Sequence, residues 1–227
     1  MESSVEMLNV YTDGGERIGV KSRSQVHADG DWHEVAFVLA ARTDELSGNR
    51  FLLQLRSGEG DRYAGQADVF VGGHVSASED HLEGAVREST EETGIDLVPE
   101  DLLYLGGRFL ENPEGVCRRV IQHFYLCLRP LTLADVAPTD EVSGFMEVGI
   151  GEFIELLEGK RNAIDASARF SAASSEQVPF SLTAAMFSKY NEPIMDSFRR
   201  STKAALFALK SGVPDMSIWE KDFGKEL

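Results

Sequence analysis

Cysteine and basic residues are scarce in this sequence of 227 residues. It has two cysteines, Cys117 and Cys127, too few for a disulfide framework or a four-thiolate zinc site. We interpret both as reduced core residues, because free cysteine is among the most buried residue types. Lys and Arg number 22 against 38 Asp and Glu, so the net charge is −16. This excess of acid argues against a nucleic-acid duplex or an anionic membrane as partner, because both repel a negative surface.

Long apolar runs are absent as well. No stretch approaches the roughly 18 apolar residues of a membrane-spanning helix. Residues 1–6 contain neither the basic segment nor the apolar segment of a signal peptide. We therefore expect a cytoplasmic protein without a membrane span.

Apolar runs separated by turn residues predict an α/β (α+β) fold, in which helices pack against a mixed sheet. The predicted strands cover residues 9–20 (a strand–turn–strand), 35–41, 50–56, 69–71, 102–110, 116–128 and 144–148. Helices are predicted at residues 79–93 and 151–158.

The composition shifts after Gly159. Residues 162–177, rich in Ala and Ser, predict a loop or a weak helix, and residues 179–190 and 193–211 predict helices. We expect residues 1–160 to form the main domain, and residues 161–227 to form a helical C-terminal extension packed on it. The apolar surface of that extension is suited to a homodimer.

An unusual group of acidic residues lies within residues 73–95. Ser76, three residues before Glu79, predicts a capping box and a helix that begins close by. In that helix Glu88, Glu91 and Glu92 stand at i, i+3 and i+4, on one face. Their mutual repulsion destabilises an isolated helix, and divalent cations among them would relieve it. Oxygen ligands suit Mg²⁺ or Mn²⁺.

Two features bear on this interpretation. Arg87 is one turn before Glu91 and within reach of its carboxylate. A run of glutamates taken alone is more often a solvated helix face than a metal site. The spacing of the glutamates therefore has to distinguish these two interpretations.

The spacing resembles the signature of the Nudix hydrolase family, G-x(5)-E-x(7)-R-E-U-x-E-E-x-G-U, where U is a bulky apolar residue. Every fixed position from Gly73 to Ile95 matches, and Ser89 alone departs, at a place where the family has an apolar residue. The resemblance implies a Nudix-type α/β/α sandwich and hydrolysis of a diphosphate linkage by water.

The resemblance also implies roles for single residues. Glu88 and Glu92 would be the principal metal ligands, Glu91 a further ligand or the general base, and the Gly73 carbonyl would complete the shell. Arg87 would hold the catalytic carboxylate. Many relatives take another acid from a later loop, and Glu141 is the best placed here; the alternative is a solvated loop acid.

The segments at residues 27–33, 52–57, 63–68 and 72–75 look like the isopentenyl-diphosphate-isomerase-like branch of the superfamily, over residues 8–158. In the isomerases, histidines matching His27, His33 and His74 help to bind a metal, and an arginine matching Arg56 holds the substrate diphosphate. The plain alternative for His27 and His33 is that they order the turn at residues 29–32. Gly72 stands where the isomerase has a proton-transferring cysteine, so we favour a hydrolase.

The sequence therefore predicts a Mg²⁺- or Mn²⁺-dependent pyrophosphohydrolase. Its substrate would be a small molecule, either a nucleoside diphosphate derivative or a nucleoside or isoprenoid diphosphate, and a monophosphate would be released. Two alternatives stay open: a regulatory module that binds nucleotides without hydrolysis, and an isopentenyl-diphosphate isomerase.

Overall fold

The computed structural model describes residues 5–57, 62–112 and 117–219. Its strands are β1 (Met7–Tyr11), β2 (Arg17–Ser22), β3 (Trp32–Asp44), β4 (Gly48–Arg56), β5 (Ala67–Asp68), β6 (Val71–His74), β7 (Leu102–Glu111), β8 (Arg119–Cys127), β9 (Val142–Gly149), β10 (Ala163–Arg169) and β11 (Val178–Thr183). Its α-helices are α1 (Arg23–Asp29), α2 (His81–Thr93), α3 (Ile150–Leu157) and α4 (Glu192–Ser211). Short 3₁₀ turns cover Pro99–Asp101, Ala184–Phe187 and Met216–Ile218. None of the helices in these ranges is both long and apolar enough to cross a membrane.

The long strand β3 organises a single sheet with the order β11-β10-β9-β4-β3-β1-β2. The first half of β3 pairs with β6 and its second half pairs with β4, so the sheet divides between these two partners. On its other side β3 runs parallel to β8, which in turn pairs with β7, while every other pair is antiparallel. The predicted mixed sheet is confirmed.

Alternating side chains of β3 bury opposite faces of the sheet, as strand geometry requires. Ala36, Val38 and Ala40 join the core beneath α2. Leu39 and Ala41 join the core that contains residues of α3 and α4. Helices therefore cover both faces, which confirms the predicted sandwich.

The capping box of α2 lies four residues later than predicted. The Asp80 side chain accepts hydrogen bonds from the backbone N–H groups of Leu82 and Glu83, and the Glu83 carboxylate accepts one from the Asp80 N–H. The Ser76 N–H does donate to the Glu79 carboxylate, at 2.8 Å, but this contact belongs to the turn that precedes the helix. Glu79 therefore lies before the helix, and its carboxylate contacts Arg87.

Two predictions for the C-terminal part are wrong. Residues 163–169 form strand β10 and not a loop or weak helix, because the buried Ile164, Ala166 and Ala168 alternate with more exposed residues and β10 pairs with β9. Residues 179–190 begin as the edge strand β11, followed by a 3₁₀ turn, and not as a helix. The predicted helix at 193–211 is confirmed as α4. The predicted division of the chain at residue 160 stays a prediction.

The strand predicted at residues 116–128 is confirmed as β8 from Arg119 to Cys127. Its predicted first residue, 116, lies outside the described residues. Helix α1 was not predicted, because its seven residues carry one buried apolar side chain, Val26, and so show no apolar periodicity.

Candidate active site

Helix α2 presents three glutamates, Glu88, Glu91 and Glu92, which we call the carboxylate cluster. The helix is held at its start by the Asp80 cap and ends at Gly94, whose positive φ of 72° favours glycine. Ser89, the departure from the Nudix signature, is fully buried. Its hydroxyl donates to the Ala85 carbonyl at 2.7 Å, so the polar side chain is satisfied inside the helix.

Arg87 ties the carboxylate cluster to the loop before α2. Its guanidinium donates to Glu79 at 2.7 Å, to Glu88 at 2.9 Å and to Glu91 at 2.8 Å. It also donates to the backbone carbonyl of His74, at the end of β6. The predicted contact between Arg87 and Glu91 is therefore present, and the arginine holds three carboxylates and the strand in one arrangement.

The carboxylates of Glu88 and Glu92 lie against the backbone of β6. A Cβ atom on Gly73 would lie 2.0 Å from Cδ of Glu88, so a side chain there is incompatible with this position of the carboxylate. Glu92 Oε2 accepts hydrogen bonds from the Gly72 N–H at 3.1 Å and from the Gln54 amide at 3.3 Å. The lack of a side chain at Gly73 thus allows Glu88 to approach the strand at the point where the sheet divides, and the backbone N–H of Gly72 holds Glu92 beside it.

Burial governs the electrostatics of the carboxylate cluster. It raises the pKa of Glu88 to about 7 and that of Glu92 to about 8, because desolvation disfavours the charged form. The negative charge of Glu141, an exposed residue just before β9, adds to the rise in the pKa of Glu88. Glu91 differs from its neighbours because 55% of its side chain is exposed.

Buried carboxylates that repel one another are a donor set that a divalent cation would stabilise. The oxygen atoms of Glu88 and Glu92, close to the backbone of Gly73, are the hard ligands that Mg²⁺ and Mn²⁺ prefer. The donor chemistry of Glu88 and Glu92 therefore suits such an ion, and their assignment as metal ligands stays a prediction.

A cavity of about 420 Å³ lies beside β6. Gly72, Gly73 and His74 form part of its wall, and Arg56 lines it. Much of the remaining wall is apolar or aromatic. Strands contribute Val35, Phe37, Leu110, Val120 and Phe124, and α4 contributes Ile194 and Phe198. Helix α4 thus supplies part of the cavity wall.

Arg56 is linked to the C-terminal part of the chain through Asp68. Arg56 Nη1 lies 3.5 Å from Asp68 Oδ2, and the hydroxyl of Tyr190 donates to the same oxygen at 3.0 Å. Asp68 and Tyr190 are each only 9% exposed, and burial raises the pKa of Asp68. The arginine predicted to bind a diphosphate is therefore positioned by a buried hydrogen-bonded pair.

The three histidines predicted as ligands also come together, and Cys117 joins them. His27 lies on α1, His33 on β3, His74 on β6, and Cys117 just before β8. Their ligand atoms all lie within 4.8 Å of one another. We call this group the histidine–cysteine cluster. Burial lowers the pKa of His33 to about 4, lowers that of His74 strongly, and raises that of the Cys117 thiol to about 11.

The structure thus brings together the predicted residues in two adjacent groups on either side of Gly73. Sequence reasoning missed Cys117, Asp68, Gln54 and Tyr190. Cys117 lay in a stretch interpreted as a core strand, and Tyr190 ended a stretch predicted as helix. No local spacing links either residue to its partners, so only the tertiary structure reveals them.

The family model of the NUDIX domain matches residues 23–169 of this chain. The match covers well over half of the sequence and includes both clusters. The chain belongs to the Nudix family, and the predicted class, a Nudix hydrolase, is confirmed at that level.

Similar proteins agree with this assignment. Nudix hydrolase 3 of Arabidopsis thaliana is 41% identical over 99 residues, which are 42% of this chain and 12% of that protein. An uncharacterized Nudix hydrolase of Clostridium acetobutylicum is 27% identical over 163 residues, 70% of this chain and 77% of that protein. The crystal structure of DR0079 from Deinococcus radiodurans has a TM-score of 0.51 at 17% identity, over 68% of this chain and 90% of that one, and so shares the fold.

Proposed function

We propose that the protein is a Mg²⁺- or Mn²⁺-dependent pyrophosphohydrolase of the isopentenyl-diphosphate-isomerase-like branch. It hydrolyses the diphosphate linkage of a nucleoside diphosphate derivative, or of a nucleoside or isoprenoid diphosphate, and releases a monophosphate. The observation that carries the proposal is the placement of the buried Glu92 and the largely buried Glu88 against Gly72 and Gly73, beside a cavity lined by Arg56. The cytoplasmic location predicted from the sequence stays a prediction.

The different exposure of the residues in the carboxylate cluster suggests different roles for them. Glu92 is buried and Glu88 is largely buried, and both would hold the cation, with the Gly73 carbonyl as a further ligand. A divalent ion bound there polarises the phosphate oxygens and lowers the pKa of water. Glu91 is largely exposed and is oriented by Arg87, so it is suited to accept the proton of the attacking water or to serve as an additional ligand. Glu141 would supply a further carboxylate from its loop.

Arg56 would bind the diphosphate of the substrate. A guanidinium group matches phosphate oxygens with paired hydrogen bonds. Asp68 and Tyr190 keep Arg56 at the cavity wall. The apolar remainder of the cavity would receive the group attached to the diphosphate.

One observation speaks against the isomerase alternative. A Cβ atom on Gly72 would lie 2.7 Å from Cδ1 of Phe37, so a cysteine at this position requires that ring to move. Phe37 is itself stacked on Phe124, with ring centroids 5.2 Å apart. Gly72 thus carries no proton-transferring side chain, and a side chain there would displace the ring of Phe37.

The test is hydrolysis in water enriched in ¹⁸O. The purified protein is incubated with Mg²⁺ or Mn²⁺ and a panel of nucleoside diphosphates, nucleotide sugars, dinucleotides and isoprenoid diphosphates. We expect a monophosphate that carries one ¹⁸O atom, in the wild type and in Glu45→Gln, and none in Glu92→Gln. Glu45 is a matched control because it is an exposed turn acid between β3 and β4.

Two results would overturn the proposal. Tight binding of one compound without turnover in either metal would favour the non-hydrolytic regulatory module. Proton exchange between isopentenyl diphosphate and solvent without ¹⁸O incorporation would favour the isomerase.

A further inference from the structure

The geometry of the histidine–cysteine cluster is that of a preformed metal site. Nε2 of His27 lies 3.1 Å from Nε2 of His74. Sγ of Cys117 lies 3.5 Å from Nε2 of His27 and 3.8 Å from Nε2 of His74. The four ligand atoms come from four separate parts of the chain, so local sequence does not force them together.

These separations can be compared with a tetrahedral zinc ion. With Zn–N bonds near 2.0–2.1 Å and Zn–S bonds near 2.3 Å, a tetrahedron places nitrogen atoms about 3.3 Å apart and nitrogen and sulfur about 3.6 Å apart. The three distances in the cluster lie within about 0.3 Å of those values. The separations that involve His33 are at most 4.8 Å, so an ion bound by the other three ligands would draw the His33 ring toward it.

His33 gives an independent indication that the cluster binds a metal ion. Its ring is 1% exposed, and Nδ1 lies 3.0 Å from the backbone carbonyl of Asp31. The carbonyl accepts only, so Nδ1 carries the proton and Nε2 has a lone pair. That buried Nε2 has no hydrogen-bond partner within the described residues. Because Nδ1 is bonded to Asp31, Nε2 is the nitrogen that His33 can offer to the cluster. A backbone carbonyl behind a histidine ligand is the usual device that fixes its tautomer and orientation.

We propose that His27, His33, His74 and Cys117 bind one Zn²⁺ ion in a closed, four-ligand site, separate from the carboxylate cluster. Three imidazoles and a thiolate are ligands for zinc and not for Mg²⁺. Four protein ligands leave no position for water, which is the arrangement of a structural zinc site. The ion would join α1, β3, β6 and the chain before β8, and it would hold one wall of the cavity in place.

Cobalt spectroscopy of the full-length protein tests the proposal without any substrate. The metal-free protein is titrated with Co²⁺ in excess Mg²⁺, which occupies the carboxylate cluster. We expect one equivalent of Co²⁺ with intense visible bands of tetrahedral coordination and a thiolate-to-cobalt charge-transfer band, all displaced by one equivalent of Zn²⁺. Weak octahedral spectra, or the absence of the charge-transfer band, would overturn it.

Variants of Cys117 and His33 test whether these two residues are zinc ligands. Cys117→Ser should lose the charge-transfer band and weaken zinc binding by more than the roughly 10–100-fold that loss of an outer-shell partner costs. Cys127→Ser is the matched control, because Cys127 is the other free thiol and lies outside the cluster, and it should keep the band. His33→Gln should keep the band and bind zinc more weakly. A band that survives Cys117→Ser, or zinc affinity that His33→Gln leaves unchanged, would contradict the assignment.

A further measurement covers the case in which Cys117→Ser fails to fold. In the wild-type protein, bound Zn²⁺ should slow alkylation of Cys117 by iodoacetamide and leave the rate at Cys127 unchanged, as followed by mass spectrometry of peptides. Equal rates at Cys117 with and without zinc would refute the site. Because none of these readouts involves hydrolysis, the inference and the proposed function fail or succeed separately.

Discussion

The two clusters beside β6 differ in how their residues are gathered and in what burial does to them. The carboxylate cluster comes from one helix, α2, within five consecutive residues. The histidine–cysteine cluster joins three elements and the segment before β8, across about ninety residues. They meet at neighbouring residues of one strand, Gly73 and His74. Each is suited to a different class of ion: hard oxygen donors on one side, and nitrogen and sulfur donors on the other.

The same physical cause acts on both clusters in opposite directions. Desolvation raises the pKa of the glutamates and lowers that of the histidines, because it disfavours whichever form is charged. Arg87 is shared among three carboxylates, so the carboxylate cluster keeps an excess of negative charge. A buried neutral imidazole, in contrast, already has the lone pair that a metal needs. The first cluster is strained without a cation, and the second is ready to receive one.

The largest effect should come from Glu92→Gln. Removing this charge should reduce turnover by about a thousandfold or more, the scale of losing a preorganised group that stabilises the transition state. The cobalt spectrum of the histidine–cysteine cluster should be unchanged, because Glu92 contacts Gly72 and Gln54 and none of its members. Steady-state rates and the Co²⁺ titration, with Glu45→Gln alongside, measure both. Loss of the cobalt bands in Glu92→Gln would show that the clusters are one unit.

Gly73→Ala should be nearly as damaging. Its Cβ would displace the Glu88 carboxylate, and a displacement of about 1 Å can cost about a hundredfold in rate. The matched control is Gly151→Ala in α3, where a Cβ meets nothing within 4 Å and a helical alanine should be neutral or stabilising. The comparison uses kcat/KM and thermal unfolding of both variants. Normal activity in Gly73→Ala would show that Glu88 is not a metal ligand.

A smaller effect should separate binding from chemistry. Tyr190→Phe removes the hydroxyl that donates to Asp68 and should raise KM by about tenfold, or about 1.4 kcal/mol, with little change in kcat. Tyr104→Phe is the control, since Tyr104 is also hydrogen-bonded but packs in the core beneath α2. If kcat falls in Tyr190→Phe and KM stays constant, then Asp68 does not act through substrate binding by Arg56.

The smallest effect concerns stability and pH without metal. The folded-state pKa of Glu92 is raised to about 8, above its unfolded value, so the unfolded chain loses this proton at lower pH. Wild-type stability should therefore fall relative to Glu92→Gln as the pH rises from about 4.5 through about 8. Thermal unfolding of both proteins at pH 5 and pH 9, without divalent ions, measures the difference. Added Mg²⁺ should reverse the order at pH 9, and a difference independent of pH would contradict the buried carboxylate.

The spacing of residues 73–95 sufficed to predict the carboxylate cluster, because the period of a helix places side chains at i, i+3 and i+4 on one face wherever that helix forms. The same local logic predicted Arg87 next to Glu91. It failed on β10, where an Ala- and Ser-rich stretch takes its structure from pairing with β9 and not from its own propensity. It also failed on β11, which pairs with β10 where a helix was predicted.

The sequence by itself determined the family, the mixed sheet and the chemistry that α2 presents, all of which rest on local periodicity or on a contiguous motif. Tertiary structure alone decided that Cys117 completes the set of histidines, and that Tyr190 reaches Asp68 from more than 100 residues away. Such contacts depend on how strands far apart in the chain align in the sheet, and on where α4 packs against it. No short-range pattern records that alignment.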